Sequence, residues 1–344
     1  MKFGVPHKGD MLLTSVGTIG IPYIARDEQF YFKDGNLTWM KDFSDKLSSK
    51  YLYYWLSSKF GRESLINRCI GSSQSALTID ILKKYKLLVP NRETQDEIVS
   101  ILSAYDDLIE VNNKRIKALE QMAENLYKEW FVRFRFPGHE TTEFEDGIPK
   151  GWKKIKIKDI AQEVGVSEKA ENRAAYSHYL PIDTLPPRSM ALKEEEDIEN
   201  AESSLESFKA GDILFGAMRP YFHKVLIAPF DGLTRSTCFI IDAKKAEYRL
   251  FLYFLLFSDS TIDFATTVSV GSTMPYVRWK DLERMYFIKP EIEIVKKFNE
   301  ITAPIVKRIV GFYRINSNLI RQRDLLLPRL MSGKLEVRVT GETA

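Results

Sequence analysis

The sequence predicts an α+β protein in which two globular α+β domains alternate with two long helices, paired as an antiparallel coiled coil. Three observations carry this. The stretch from Glu93 to Phe136 has its apolar residues at Ile98, Ile101, Leu102, Tyr105, Leu108, Ile109, Ile116, Leu119, Met122, Leu126 and Trp130, with no internal Gly or Pro. Steps of three and four mark a helix with one apolar face, and about 40 residues at roughly 1.5 Å each give a rod near 60 Å. Second, the chain matches itself when shifted by 200 positions: Tyr51-Leu52-Tyr53-Tyr54-Trp55-Leu56 overlies Phe251-Leu252-Tyr253-Phe254-Leu255-Leu256, and Gly71-Ser72-Ser73 overlies Gly271-Ser272-Thr273. Third, a strand-like Gly9-Asp10-Met11-Leu12-Leu13 matches Gly211-Asp212-Ile213-Leu214-Phe215. A glycine-serine pair, a proline (Pro90, Pro290) and a Gly-Asp strand in one order make this an internal duplication.

Taken in order, the first domain spans 1–90, the first long helix 91–136, a linker and the second domain 137–290, the second long helix 291–335, and a tail 336–344. The first domain opens on a strand from Met11 to Ser15 with turns at Gly17 and Gly20, then a helix from Lys50 to Phe60 and a buried strand from Lys86 to Pro90. Only eight residues precede Gly9, against about 60 residues between Trp152 and Gly211, so the first domain is expected to lack its amino-terminal part. The second domain should carry strands at Lys153 to Lys158, Tyr179 to Ile182, Ile213 to Ala217, Val225 to Ala228, Cys238 to Asp242 and Met285 to Pro290, with a helix from Tyr248 to Phe257. With Ile98 at a heptad a position, the expected seam is Ile98, Tyr105, Asn112, Leu119 and Leu126 against Phe298, Ile305, Phe312, Leu319 and Leu326. Asn112 in the seam fixes register at some cost in stability. Pro304 should kink the second helix or delay its start.

Composition sets bounds. At 344 residues with 44% hydrophobic and 28% charged residues, the chain has material for two or three real cores. Two cysteines, Cys69 and Cys238, exclude a disulfide framework and suit a reducing, cytoplasmic location. The longest apolar run, Phe251 to Phe257, is too short for a bilayer. The net charge of +3 does not announce a nucleic-acid binder, but Arg219 to Arg249 holds six basic residues against three acids, with Tyr221, Phe222 and His223 interleaved. There is no phosphate-binding Gly-x-x-x-x-Gly-Lys-Ser/Thr loop, no Gly-x-Gly-x-x-Gly, no Gly-x-Ser-x-Gly, no Asn-Pro-Pro-aromatic or Asp-Pro-Pro-Tyr motif, and the four histidines lack ligand spacing. These absences favour a binding protein without a metal site.

The layout resembles the specificity subunit of type I restriction-modification enzymes. The likeness rests on Gly9 to Thr14 with Gly17 and Gly20, Pro90 with Gln95 and Ile98, Asn112 to Ile116 through Glu129-Trp130-Phe131, Gly147-x-Pro149-x-Gly151-Trp152, and the closing Leu326-Leu327-Pro328-Arg329-Leu330-Met331-Ser332-Gly333. No single motif is specific; their order over nearly the whole chain is. The resemblance implies a non-catalytic subunit that reads double-stranded DNA, one domain per half of a split target, with the helices setting the gap. It implies two methylase subunits as partners, restriction (helicase-nuclease) subunits joining through the complex, and S-adenosylmethionine, ATP and Mg²⁺ held in those partners and not here.

The candidate DNA contacts are Arg219, Tyr221, His223, Lys224 and Arg235, where guanidinium, aromatic and ammonium groups lie beside a strand; a solvated loop with a ring turned inward is the plainer alternative. Ser72, Ser73, Ser272 and Thr273 lie in the duplicated glycine loops, where small hydroxyls suit a phosphate or merely a turn. Arg278 and Lys280 follow the second loop, and Thr14, Ser15 and Thr18 sit in the first domain. Two rival classes stay open: a coiled-coil scaffold that reads no DNA, and a specificity module detached from a fused methylase-nuclease.

Overall fold

The computed structural model describes residues 4–32, 35–69 and 76–337, and the chain divides into two compact units, 1–110 with 318–344 and 111–317. Each unit therefore takes part of both long helices, together with its own sheet.

In the first unit β1 (Met11–Thr14) is the centre of an antiparallel sheet, flanked by β2 (Pro22–Ile24) and β3 (Leu37–Met40). Its side chains Met11 and Leu13 are fully buried against Trp55, Leu56, Leu65 and Leu77. Helix α1 (Ser49–Ser57) is followed directly by α2 (Lys59–Ile66), and Ser58 serves both: its N–H closes the end of α1, and its Oγ accepts from Gly61 N as the cap of α2. A short α3 (Ile79–Lys84), capped by Thr78, precedes α4 (Arg92–Tyr127), which Asn91 starts by accepting from Thr94 N at 2.8 Å. The strand expected at Lys86 to Pro90 does not form. Leu88 is 94% exposed, and no described segment pairs with this stretch.

The second unit shows why. There β6 (Lys153–Lys156), which follows a small hairpin of β4 (Phe144–Glu145) and β5 (Ile148–Pro149), pairs with the strand equivalent to residues 86–89. Next come β7 (Ala161–Glu163), β8 (Val166–Glu168), β9 (Leu205–Phe208), β10 (Ile213–Gly216), β11 (Val225–Ile227), β12 (Gly232–Arg235) and β13 (Cys238–Ala243). They form a four-stranded sheet, β11-β10-β13-β7, and a three-stranded sheet, β12-β9-β8. Helices α5 (Arg249–Phe257), α6 (Asp259–Thr267) and α7 (Trp279–Leu282) lead to β14 (Tyr286–Lys289), which is the antiparallel partner of β6. A strand needs a neighbour for its backbone groups; residues 286–289 have one and, among the described residues, residues 86–89 do not. The residues expected as a strand at Tyr179 to Ile182 make only isolated bridges, from Tyr179 to Glu196 and Leu233.

The duplication is visible bond by bond. Gly9 N donates to Ala25 O and Gly211 N to Ala228 O, both at 2.9 Å. Leu77 N reaches Ser15 O at 2.8 Å, and Val277 N reaches Ala217 O at 3.0 Å. Ser258 caps α6 as Ser58 caps α2. All seven residues Phe251 to Phe257 are buried, so α5 is core and no base-stacking platform.

Helix α4 ends in a π-helical turn, Lys128–Val132, and α8 spans Ile292–Met331. Within the first unit Ile98, Val99 and Leu102 pack with Leu327 and Leu330. Within the second, Asn112 meets Asn316 and Arg115 lies over the ring of Phe312, so the two helices run antiparallel there. The seam is displaced from the expected frame. Within the second unit its centre runs through Ile116, Ala123 and Trp130 and, in α8, through Val295, Thr302, Ile309 and Asn316; within the first it holds Leu102 and Leu330, all buried. Tyr105, Leu119, Leu126, Ile305, Phe312, Leu319 and Leu326 are only half-buried flanks, while Ile98, Asn112 and Phe298 are fully enclosed. Thr302 Oγ1 in the seam donates to Phe298 O, while Gln95, buried at the start of α4, is bound instead to the first domain, accepting from Ser48 N and donating to Lys46 O and Pro90 O. Pro304 neither delays nor ends α8, because it and Glu300, whose carbonyl it leaves unbonded, both face solvent.

Candidate nucleic-acid interface

Three turns of the second unit meet at the carboxyl end of β10. The first, Arg219 to Lys224, is a single 3₁₀ turn, Pro220–Phe222, with Arg219 and His223 both left-handed, at φ +49° and +54°. The second, Val270 to Tyr276, is joined to it by Arg219 N donating to Pro275 O at 2.7 Å and by a bridge between Met218 and Tyr276. The third is the β12–β13 turn after Arg235, joined by Ala217 N donating to Thr237 O at 2.9 Å. Candidates from sequence positions 219, 235 and 273 therefore converge.

Their side chains divide sharply. Tyr221 is 49% exposed; Arg235, Ser272, Thr273, Arg278 and Lys280 are also exposed. Arg278 is engaged by Asp281 at 2.6 Å, and Arg235 reaches Ser203 Oγ at 3.4 Å. Among the described residues no ion pair holds Lys280. Arg219 has its Nε buried without a partner among the described residues, and its Nη2 lies 3.5 Å from Thr273 O. His223 is not a surface group. It is 2% exposed, and its Nε2 donates to Phe257 O at 2.7 Å, which fixes the tautomer because a carbonyl only accepts. Burial pushes its pKa below the ordinary value, the Phe257 bond opposing, and Nδ1 is left 3.8 Å from Asp259 Oδ1. Lys224 is also mostly engaged within the fold, its Nζ donating to Ile182 O at 2.7 Å and Asp183 O at 3.4 Å.

In the first unit, Ser15 is buried with its Oγ bonded to Thr38 at 2.6 Å, and Thr14 Oγ1 accepts from Ile21 N at 2.9 Å. Both are therefore structural, and Thr18 alone of the three is exposed, on the turn between Gly17 and Gly20. Ser72 and Ser73 lie outside the described residues. Sequence reasoning missed Arg188, whose N–H donates to His223 O at 2.9 Å and whose guanidinium pairs with Asp259 at 3.0 Å. It also missed Met274, 54% exposed on the second turn. The Pro186-Pro187 turn before Arg188 was the available signal.

An α+β unit occurs twice in the chain, each copy with a turn after its central strand and a bridge from that turn to a later segment, Val16 to Ala76 and Met218 to Tyr276. Residues 2–121 match the family model described as Type I restriction modification DNA specificity domain. The chain is 29% identical to the type I restriction enzyme MjaIX specificity subunit of Methanocaldococcus jannaschii over 96% of its length and 78% of that protein. It is 20% identical to the HindI specificity subunit of Haemophilus influenzae, over 95% of its length and 87% of that protein. The fold is similar to the crystal structure of the type I restriction-modification S subunit from M. genitalium, with a TM-score of 0.58 and 18% identity, covering 94% of this chain and 83% of that one. The chain is thus similar to type I restriction-modification specificity subunits over nearly its whole length.

Proposed function

We propose that this chain is the DNA-sequence-recognition subunit of a type I restriction-modification complex and carries out no catalysis itself. Each unit reads one half of a split double-stranded target through its turn after the central strand, and the paired helices fix the number of base pairs between the halves. The observation that carries this is the repeated loop geometry, Val16 bridged to Ala76 in one unit and Met218 to Tyr276 in the other, in a chain whose residues 2–121 match the DNA specificity domain model. Helices of 36 and 40 residues, about 54 and 60 Å at 1.5 Å per residue, support the spacing role.

The partners are two methylase subunits, with restriction subunits joining through the complex. S-adenosylmethionine, ATP and Mg²⁺ act in those chains. The test is reconstitution with the methylase subunits, followed by sequencing of methylated bases. A two-part motif with a constant gap is the expected outcome; methylation without sequence preference, or none that depends on this chain, overturns the reading.

A further inference from the structure

The turn from Arg219 to His223 is built at a backbone cost that its duplicate avoids. In the first unit the two left-handed positions are Gly17 and Gly20, at φ +74° and +81°. Glycine occupies that region freely, whereas a side chain there is strained. In the second unit the same positions, one residue further apart, hold Arg219 and His223. The strain is held in place by a full set of bonds: Arg219 N to Pro275 O, Phe222 N to Arg219 O at 2.9 Å, His223 N to Pro220 O at 2.8 Å, and His223 Nε2 to Phe257 O. Pro220 removes a further degree of freedom.

What this rigid frame holds outward is apolar. Tyr221 and Phe222 are 49% and 45% exposed, their rings edge-to-face with centroids 4.8 Å apart. Met274 and Val270, at 54% and 63%, are exposed on the adjoining turn. A pair of immobilised rings loses little freedom on binding, and the exposed cations Arg235 and Lys280 on the neighbouring segments match a polyanion and not an apolar protein surface. Apolar side chains carried on a cationic frame are the means by which proteins unstack a base step.

We propose that Tyr221 and Phe222 form a wedge that enters the duplex and unstacks one base step in the half-site read by the second unit. This rests on the DNA-recognition reading above, and the test separates the two. The full chain, assembled with its methylase subunits, is titrated into duplexes of its mapped target carrying 2-aminopurine at successive positions of that half-site. Fluorescence should rise several-fold at one step. A Tyr221→Ala/Phe222→Ala variant should lose the rise and bind about tenfold or more weaker per ring, with an unchanged salt slope because phosphate contacts stay. An Arg219→Gly variant, relieved of strain, should remain folded and show a smaller rise.

Tight wild-type binding with no rise at any position, or a rise that survives in the double variant, overturns the wedge alone. Absence of sequence-dependent binding by the wild type overturns the recognition reading and the wedge with it. If the double variant binds DNA normally but no longer holds the methylase subunits, the rings are a protein contact and the wedge is wrong.

Discussion

Asn112 Nδ2 donates to Asn316 Oδ1 at 2.9 Å, placing a buried amide pair between the two long helices. Asn316 Nδ2 in turn donates to Asn113 Oδ1 at 3.0 Å, so both sides of the pair are satisfied. Such a pair contributes little net stability but disfavours any helix register that would separate its members.

Replacing Asn112 by Ala should therefore cost about 1–3 kcal/mol, since it strands a buried acceptor on Asn316. The double change Asn112→Leu/Asn316→Leu should recover much of that loss while weakening register control. Urea melts and sedimentation velocity report the two effects; a single variant as stable as wild type would show that water substitutes for the bond.

The displaced seam gives a second expectation. Leu102 is 0% exposed at the seam centre, whereas Leu126 is a half-buried flank. Leu102→Ala should cost about 2–5 kcal/mol and Leu126→Ala clearly less. Equal losses in chemical denaturation would contradict this frame.

His223 makes stability depend on pH. Burial lowers its folded pKa below the ordinary 6.5, against the Phe257 bond, with Arg188 also lowering it and Asp259 and Asp263 raising it. The unfolded chain then binds the proton first, so stability declines as pH falls below about 6.5 and goes on declining to the folded pKa. A His223→Asn variant keeps a side chain tolerant of left-handed backbone and should lose this component. Parallel pH–stability curves for the two proteins would sink the assignment.

For DNA, the exposed cations and the committed one should behave differently. Arg235→Ala or Lys280→Ala should weaken binding on all sequences and reduce the salt slope by about 0.9 for each phosphate that is no longer neutralised. Lys224→Ala should instead lower stability by about 1–3 kcal/mol, because its Nζ bonds to two backbone carbonyls. Binding titrations over a range of salt, paired with melts, distinguish these outcomes.

The duplication, the central strands and the two long helices were legible because apolar period and glycine spacing are local properties. The seam frame was not, since Ala123, Thr302 and Asn316 hold its centre and hydropathy passes over them. Ser15 and His223 read as surface groups because their partners, Thr38 and the Phe257 carbonyl, lie 23 and 34 residues away. The convergence of the Arg219, Arg235 and Thr273 turns depended on strand pairing that no single segment encodes.

The unpaired stretch at Lys86 to Pro90 bears on handling the protein in solution. A backbone that finds no strand neighbour among the described residues is a template for strands from other molecules, and with Leu88 94% exposed it would favour clumping. Lys83, Lys84 and Lys86, all exposed, with Pro90 at the far end, put repulsive charge and a missing donor along that template. Neutralising those lysines by acetylation should shorten the time before the concentrated protein turns cloudy, without changing its melting temperature.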